Sequence, residues 1–137
     1  MKKFIIITML LCCLLGLVGC KNKQGDISNY QTKEVSSSMY STTDIKSAID
    51  VATRYFQKEF NGCTLKEIYY AGDDKSKGYE DLAQRNNAQE AIVLLSKFTT
   101  DKNGGDGSLN SNNTYDNWMW ILVRNKGEKW VLVDHGY

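Results

Sequence analysis

The stretch from Trp118 to His135 constrains the fold more than any other. Trp118 to Arg124 and Lys129 to His135 are two runs rich in large apolar residues, separated by Asn125-Lys126-Gly127-Glu128. Asn and Gly are the residues that most readily form the tight reversal between antiparallel strands. Alternation sends Trp118, Trp120, Leu122 and Arg124 to one face and Met119, Ile121 and Val123 to the other. Both faces are largely apolar, so this sheet has to be covered on both sides.

One cover lies upstream. Ile45, Ala48, Ile49, Ala52, Phe56 and Phe60 recur at spacings of three and four, behind a Ser41-Thr42-Thr43-Asp44 capping box and ahead of Asn61-Gly62. That pattern predicts a helix over about 43–60. Thr64 to Ala71 reads as a strand closed by Gly72-Asp73-Asp74-Lys75-Ser76, and Glu90 to Phe98, with its run Ile92-Val93-Leu94-Leu95, reads as a central strand. Tyr79 to Asn86 brings Tyr79, Leu82 and Ala83 to one side of a short second helix. The expected class is α+β, in a single domain over 43–137, and 137 residues suit one compact domain rather than two.

Met1-Lys2-Lys3 precedes an apolar run from Phe4 to Val18 broken only by Thr8 and Gly16. The run has the length of an export signal and is short for crossing a bilayer. Leu17-Val18-Gly19-Cys20 resembles the lipobox of bacterial lipoproteins. That resemblance implies cleavage before Cys20 and diacylation of its thiol, palmitate being a typical chain. The expected organisation is a lipoprotein signal peptide at 1–19, a lipidated Cys20 with a flexible tether over 20–42, and a domain on the extracytoplasmic side of the cell membrane. Lys21 to Thr43 is rich in Ser, Thr, Lys, Gln and Asn without an apolar period, which is the composition of a tether.

Cleavage would remove two of the 17 basic residues against 16 acidic ones, leaving a formal charge of −1. No strongly basic face is available for a phosphate backbone, so nucleic acid is excluded as a partner. Cys12 and Cys13 would leave with the signal and Cys20 would carry lipid. Cys63 would then have no partner for a disulfide, and its place between a helix stop and an apolar strand reads as a small buried hydrophobe.

Asp134-His135 invites an acid-base reading, with Tyr55 as a further group. Adjacent strand residues point to opposite faces, so Asp134 is poorly placed to orient the His135 ring. Asp101 to Gly107 invites a calcium reading, but an EF-hand loop begun at Asp101 needs glycine where Asp106 stands and glutamate where Asn112 stands. Gly104-Gly105-Asp106-Gly107 also lacks the lysine of a phosphate-binding loop. No catalytic residue, metal or cofactor is assigned. The long connection 101–117 reads as a mobile loop held by two strands, the usual setting for recognition. The candidate ligand- or partner-binding residues are Tyr55, Tyr115, Asp116, Trp118, Trp120, Asp134, His135 and Tyr137.

The 43–60 helix, Phe60-Asn61-Gly62-Cys63-Thr64-Leu65, Ile92-Val93-Leu94-Leu95-Ser96, Gly104 to Leu109, Trp118 to Leu122 and Asp134-His135-Gly136-Tyr137 together resemble a bacterial lipoprotein family of unknown function. The resemblance spans roughly residues 41–137. It implies a nuclear-transport-factor-like, or cystatin-like, cone: one long N-terminal helix packed on a curved four-stranded antiparallel sheet. Members commonly end in Asp-Trp-Gly-Tyr, and here His135 takes the tryptophan place. One fold hosts many activities. The expected function is a lipid-anchored binding or interaction module for an envelope protein, a peptide or a small ligand. The alternatives are an enzyme using Asp134 and His135 in a cone pocket, and an accessory subunit of an envelope complex marked by a flat apolar patch.

Overall fold

A computed structural model describes residues 23–137. The signal peptide read at 1–19 and the lipidation site Cys20 lie outside the described residues. The chain is α+β, with α1 (Thr42–Glu59), β1 (Cys63–Tyr70), α2 (Asp73–Lys77), α3 (Glu80–Arg85), β2 (Glu90–Thr100), β3 (Thr114–Arg124) and β4 (Val131–Gly136). The four strands pair in chain order and all antiparallel. Among the described residues no helix is long and apolar enough to cross a membrane.

The capping box at the start of α1 closes in both directions. The Ser41 hydroxyl accepts from the Asp44 N–H, and the Asp44 carboxylate accepts from the Ser41 N–H. Ala48, Ile49, Ala52 and Phe56 then form a buried stripe against Ile92, Leu94, Phe98, Trp120 and Leu122 of the sheet. Charged contacts fix the first turn. Arg124 donates through Nε to Glu90 at 2.6 Å and reaches Asp44 at 2.9 Å, with its guanidinium 4.1 Å above the centre of the Trp130 ring. The Trp130 indole donates to the Asp44 carbonyl at 3.0 Å, and Tyr40, edge-on to Trp130, donates its hydroxyl to the Ala91 carbonyl at 2.6 Å.

The opposite face of the sheet is covered at one end by two short helices. Ala83 of α3 packs with Ala91 and Val123, flanked by Tyr79 and Val133. The residues read as a simple strand closure at 72–76 instead form α2, whose Ser76 hydroxyl accepts from the Val93 N–H at 3.1 Å.

The flexible tether expected over 20–42 is corrected across its described part. Asp26 bridges to Thr64 and Gln31 to Glu67, both parallel to β1, and the Gly25 N–H donates to the Gln57 carbonyl at 2.9 Å. A Cβ on Gly25 would collide with the Phe56 carbonyl, so glycine is required for this close approach. Ser37 and Ser38 both donate to the Asp73 carboxylate, which also accepts from the Tyr70 hydroxyl. The physical reason is twofold. The outer edge of β1 needs partners for its backbone groups, and Ile27, Tyr30, Val35, Met39 and Tyr40 pack on the core despite their polar surroundings.

Two bulges set which side chains face α1. Between β2 and β3 the register shifts between Ser96 and Phe98, where Asn117 takes a φ of 56°, so Tyr115 and Trp118 share the helix-facing side. Between β3 and β4 it shifts between Ile121 and Leu122, which brings both Leu132 and His135 to that side and Val133 to the other.

Removing one member of a buried ion pair costs about 3–5 kcal/mol, and the Asp44 side chain keeps 31% of its surface in water. Arg124→Ala should therefore destabilise the fold by about 2–3 kcal/mol. Arg124→Lys should recover only part of this, because the ammonium cannot fork between two carboxylates. Denaturant midpoints measure both, and a loss below about 1 kcal/mol for Arg124→Ala contradicts the clamp.

Candidate functional site

At the far end of α1 the helix, the 101–113 connection and the last two strands enclose a cleft. Asn61-Gly62 turns the chain out of the helix. Gly62 has a φ of 72°, and a Cβ there would stand 2.5 Å from the Asp101 carboxylate. The connection runs over 101–113, four residues shorter than the 101–117 expected, and its own hydrogen bonds shape it into a wall of the cleft. Strand β3 already begins at Thr114. The Asp101 carboxylate accepts from the N–H groups of Asn103 and Gly105, and the Asp106 carboxylate accepts from the N–H and hydroxyl of Ser108. The Thr100 hydroxyl donates to the Asn110 carbonyl at 2.6 Å and accepts from the Asn113 N–H at 2.9 Å. These bonds spend the loop's polar groups on its own shape. No group of three His, Cys, Asp or Glu side chains is arranged to hold a metal ion among the described residues.

The cleft has a volume of about 250 Å³ and is lined by Tyr55, Phe60, Leu109, Trp118 and His135, with Cys63 and Asn61 at the helix-strand junction and Glu59, Asp106 and Ser108 as its polar members. Ring centres of Tyr55 and His135 are 5.4 Å apart, those of Phe60 and Trp118 6.1 Å, and Trp118 and His135 stack at 5.9 Å. Two of these residues carry a polar atom, Trp118 Nε1 and His135 Nδ1, that is shielded from solvent and has no hydrogen-bond partner among the described residues. Buried polar atoms are nearly always paired, so two orphans in one cleft distinguish it from the rest of the core.

Burial lowers the pKa of His135, and the Asp134 charge opposes this only in part, so the ring is neutral at pH 7. Burial pushes the Cys63 thiol up to about 11, with the Asp101 and Asp106 charges acting in the same direction. A thiol held protonated in this way is no nucleophile at neutral pH.

Of the eight residues singled out in the sequence, Tyr55, Trp118 and His135 line the cleft. Three others support it. Tyr115 stacks on Phe98 at 5.1 Å and accepts the Asn110 N–H on its hydroxyl, Tyr137 packs edge-on against Trp118 at 5.3 Å, and Trp120 is fully buried with its N–H donating to Ser96 at 2.8 Å. Trp120 is thus core and offers no free surface. Asp116 lies elsewhere, paired with Lys97 at 3.2 Å. Asp134 is also outside the cleft, and its carboxylate accepts the backbone N–H of His135, not the ring. Sequence reasoning placed Phe60 and Cys63 in the core, pointed to Asp106 and Leu109 only as part of the 101–117 loop, and did not foresee Glu59 at the site. The available signal was the Asn61-Gly62 stop, which had to bring the helix end against another segment. The chain matches no known protein family, no curated protein and no solved structure.

Two outcomes follow from the burial of these groups. Cys63 should resist alkylation at neutral pH while the chain is folded and react on unfolding, and Cys63→Ala should cost on the order of 1 kcal/mol. Fast labelling of the folded protein contradicts its burial. His135 has a folded pKa below its ordinary 6.5, so the unfolded chain takes up the proton first. Stability should therefore be intact above about pH 6.5 and decline as the pH falls through it. Asp44, Asp73, Asp101 and Asp106, all held below the ordinary carboxylate range by hydrogen bonds, add a separate loss in more acidic solution. His135→Phe should flatten the first decline and leave the second, as read by denaturation between pH 3 and 8; an unchanged slope near pH 6 contradicts the assignment.

Proposed function

We propose that the chain is a lipid-anchored, extracytoplasmic binding module whose ligand occupies the cleft between the end of α1, the 101–113 wall and the last two strands. The observation that carries this reading is the pair of unpartnered atoms, Trp118 Nε1 and His135 Nδ1, on two residues that line one aromatic cleft. An unmet buried donor or acceptor costs about 1–3 kcal/mol, and a ligand that supplies its partner recovers that cost on binding. The indole N–H asks for an acceptor oxygen. Neutral His135 offers either a lone pair or an N–H at Nδ1.

A small ligand fits better than a macromolecular face. The cleft is concave and its 250 Å³ falls just under the roughly 300–1,000 Å³ of sites for drug-sized molecules. The enzyme alternative is weakened by chemistry, since Asp134 does not orient His135 and the Cys63 thiol is protonated. The cone-like curvature implied by the lipoprotein resemblance is part of the same reading, and the bulges in all three strand pairs are its support, because bulges bend strands. The anchor rests on the Leu17-Val18-Gly19-Cys20 motif behind a short apolar run.

Two measurements test the proposal. Ligand-observed NMR against a collection of small polar metabolites should find binders that Trp118→Phe weakens about five-fold, the worth of one neutral hydrogen bond. Binders indifferent to both Trp118→Phe and His135→Phe contradict the site. Cys20→Ser should move the protein out of the membrane fraction or leave it unprocessed, since stable attachment needs two acyl chains. Native protein with an unmodified Cys20 in the soluble fraction contradicts the anchor.

A further inference from the structure

We propose that the ligand of this cleft is a small organic cation, an alkylammonium group seated against the rings of Tyr55, Phe60 and Trp118. The inference deepens the binding reading above and rests on it. Four independent features converge on positive charge. The first is the aromatic lining, in which the rings of Tyr55, Phe60, Trp118 and His135 pack with centres 5.4 to 6.4 Å apart, so that a cation in the cleft lies beside several rings at once. Tyr55 in particular keeps 37% of its surface exposed although it is a large aromatic residue on the inner half of a helix.

The second feature is the pair of carboxylates in the lining, Glu59 and Asp106. Hydrogen bonds from Ser108 keep Asp106 ionised. Among the described residues Glu59 pairs with Lys58 alone, at 3.5 Å, and that lysine is 82% exposed, so the pair is weak and open to competition. The third feature is the position of the cleft at the C-terminal end of the 18-residue α1, the negative pole of the helix dipole. The fourth is what the lining lacks: among the described residues it includes no lysine or arginine, and His135 is neutral. An anionic ligand would meet repulsion from every charged group in the cleft, whereas an ammonium group meets attraction from all of them. The two orphaned nitrogens extend the description. Once the lining shifts to bare them, an ammonium compound carrying a hydroxyl or carbonyl oxygen satisfies Trp118 Nε1 through that oxygen, and a protonated amine can donate to His135 Nδ1.

The test compares choline with its uncharged isostere 3,3-dimethyl-1-butanol, each titrated into the full chain in detergent at constant ionic strength, with tryptophan fluorescence and calorimetry as readouts. Choline should bind saturably and at least about ten-fold more tightly than the isostere. Tyr55→Leu should weaken choline about ten-fold, and Glu59→Gln and Asp106→Asn about two- to five-fold each, more at low salt than at high. Asparagine at 106 can still accept from Ser108, which keeps the wall folded. Ethanolamine binding more tightly than choline also supports the inference and assigns His135 Nδ1 as an acceptor. Equal affinity for choline and the isostere overturns the ammonium inference while leaving the binding module intact. So does binding of neutral or anionic metabolites, sensitive to Trp118→Phe, in a cleft that choline never saturates. Choline binding that none of the three variants alters overturns the assignment to this cleft.

Discussion

Arg124 is the contact on which the arrangement of helix and sheet depends. A guanidinium with only 11% of its side-chain surface exposed must be paired, and it is paired with carboxylates from two different elements, Asp44 on α1 and Glu90 on β2, while Trp130 covers its face. The start of α1 is thereby fixed over the outer half of the hairpin. Its middle is held by dispersion and burial, with Phe56 against Phe98 at 5.6 Å and against Phe60 at 4.8 Å. Its last turn is held by rings and by the Gly25 N–H donated to the Gln57 carbonyl. The helix thus passes from a charged clamp at its start to an aromatic cushion at its end.

The three tryptophans show how one residue type serves three ends. Trp120 and Trp130 each satisfy the indole N–H inside the protein, through Ser96 and the Asp44 carbonyl. Trp118 does not. An aromatic ring with a satisfied N–H is core, whereas a ring with an orphaned one is core on one side and a binding surface on the other. His135 repeats the pattern, stacked on Trp118 and packed against Phe60 and Trp120 with Nδ1 unmet.

Much of the architecture was legible in the residues. The capping box, the apolar stripe of α1 and the Asn125 to Glu128 reversal are local signals, and local signals survive tertiary context. The segment before α1 was misread because composition registers polarity but not the partners that polar residues find; Ser37 and Ser38 look like tether and act as donors to Asp73. Of the site, Tyr55, Trp118 and His135 were legible as aromatics near the strand ends. Asp134 and Asp116 were not separable from them, because the bulges at Asn117 and near Val133 alter strict alternation and only a register reveals bulges. The length of the 101–117 connection suggested mobility, yet Asp101 accepts from the Gly104 and Gly105 N–H groups, and Thr100 and Tyr115 bond Asn110 and Asn113.

The account turns on the claim that Trp118 keeps its indole N–H for something outside the chain. Hydrogen exchange of the three indole N–H groups, resolved by NMR in the ligand-free protein, tests it directly. The Trp120 and Trp130 protons, each in a hydrogen bond, should exchange slowly and together with the core, while the Trp118 proton should exchange at least about ten times faster through openings of the cleft alone. Protection of Trp118 equal to that of Trp120 would mean that its donor is already met within the fold, and the cleft would then be packing rather than a site.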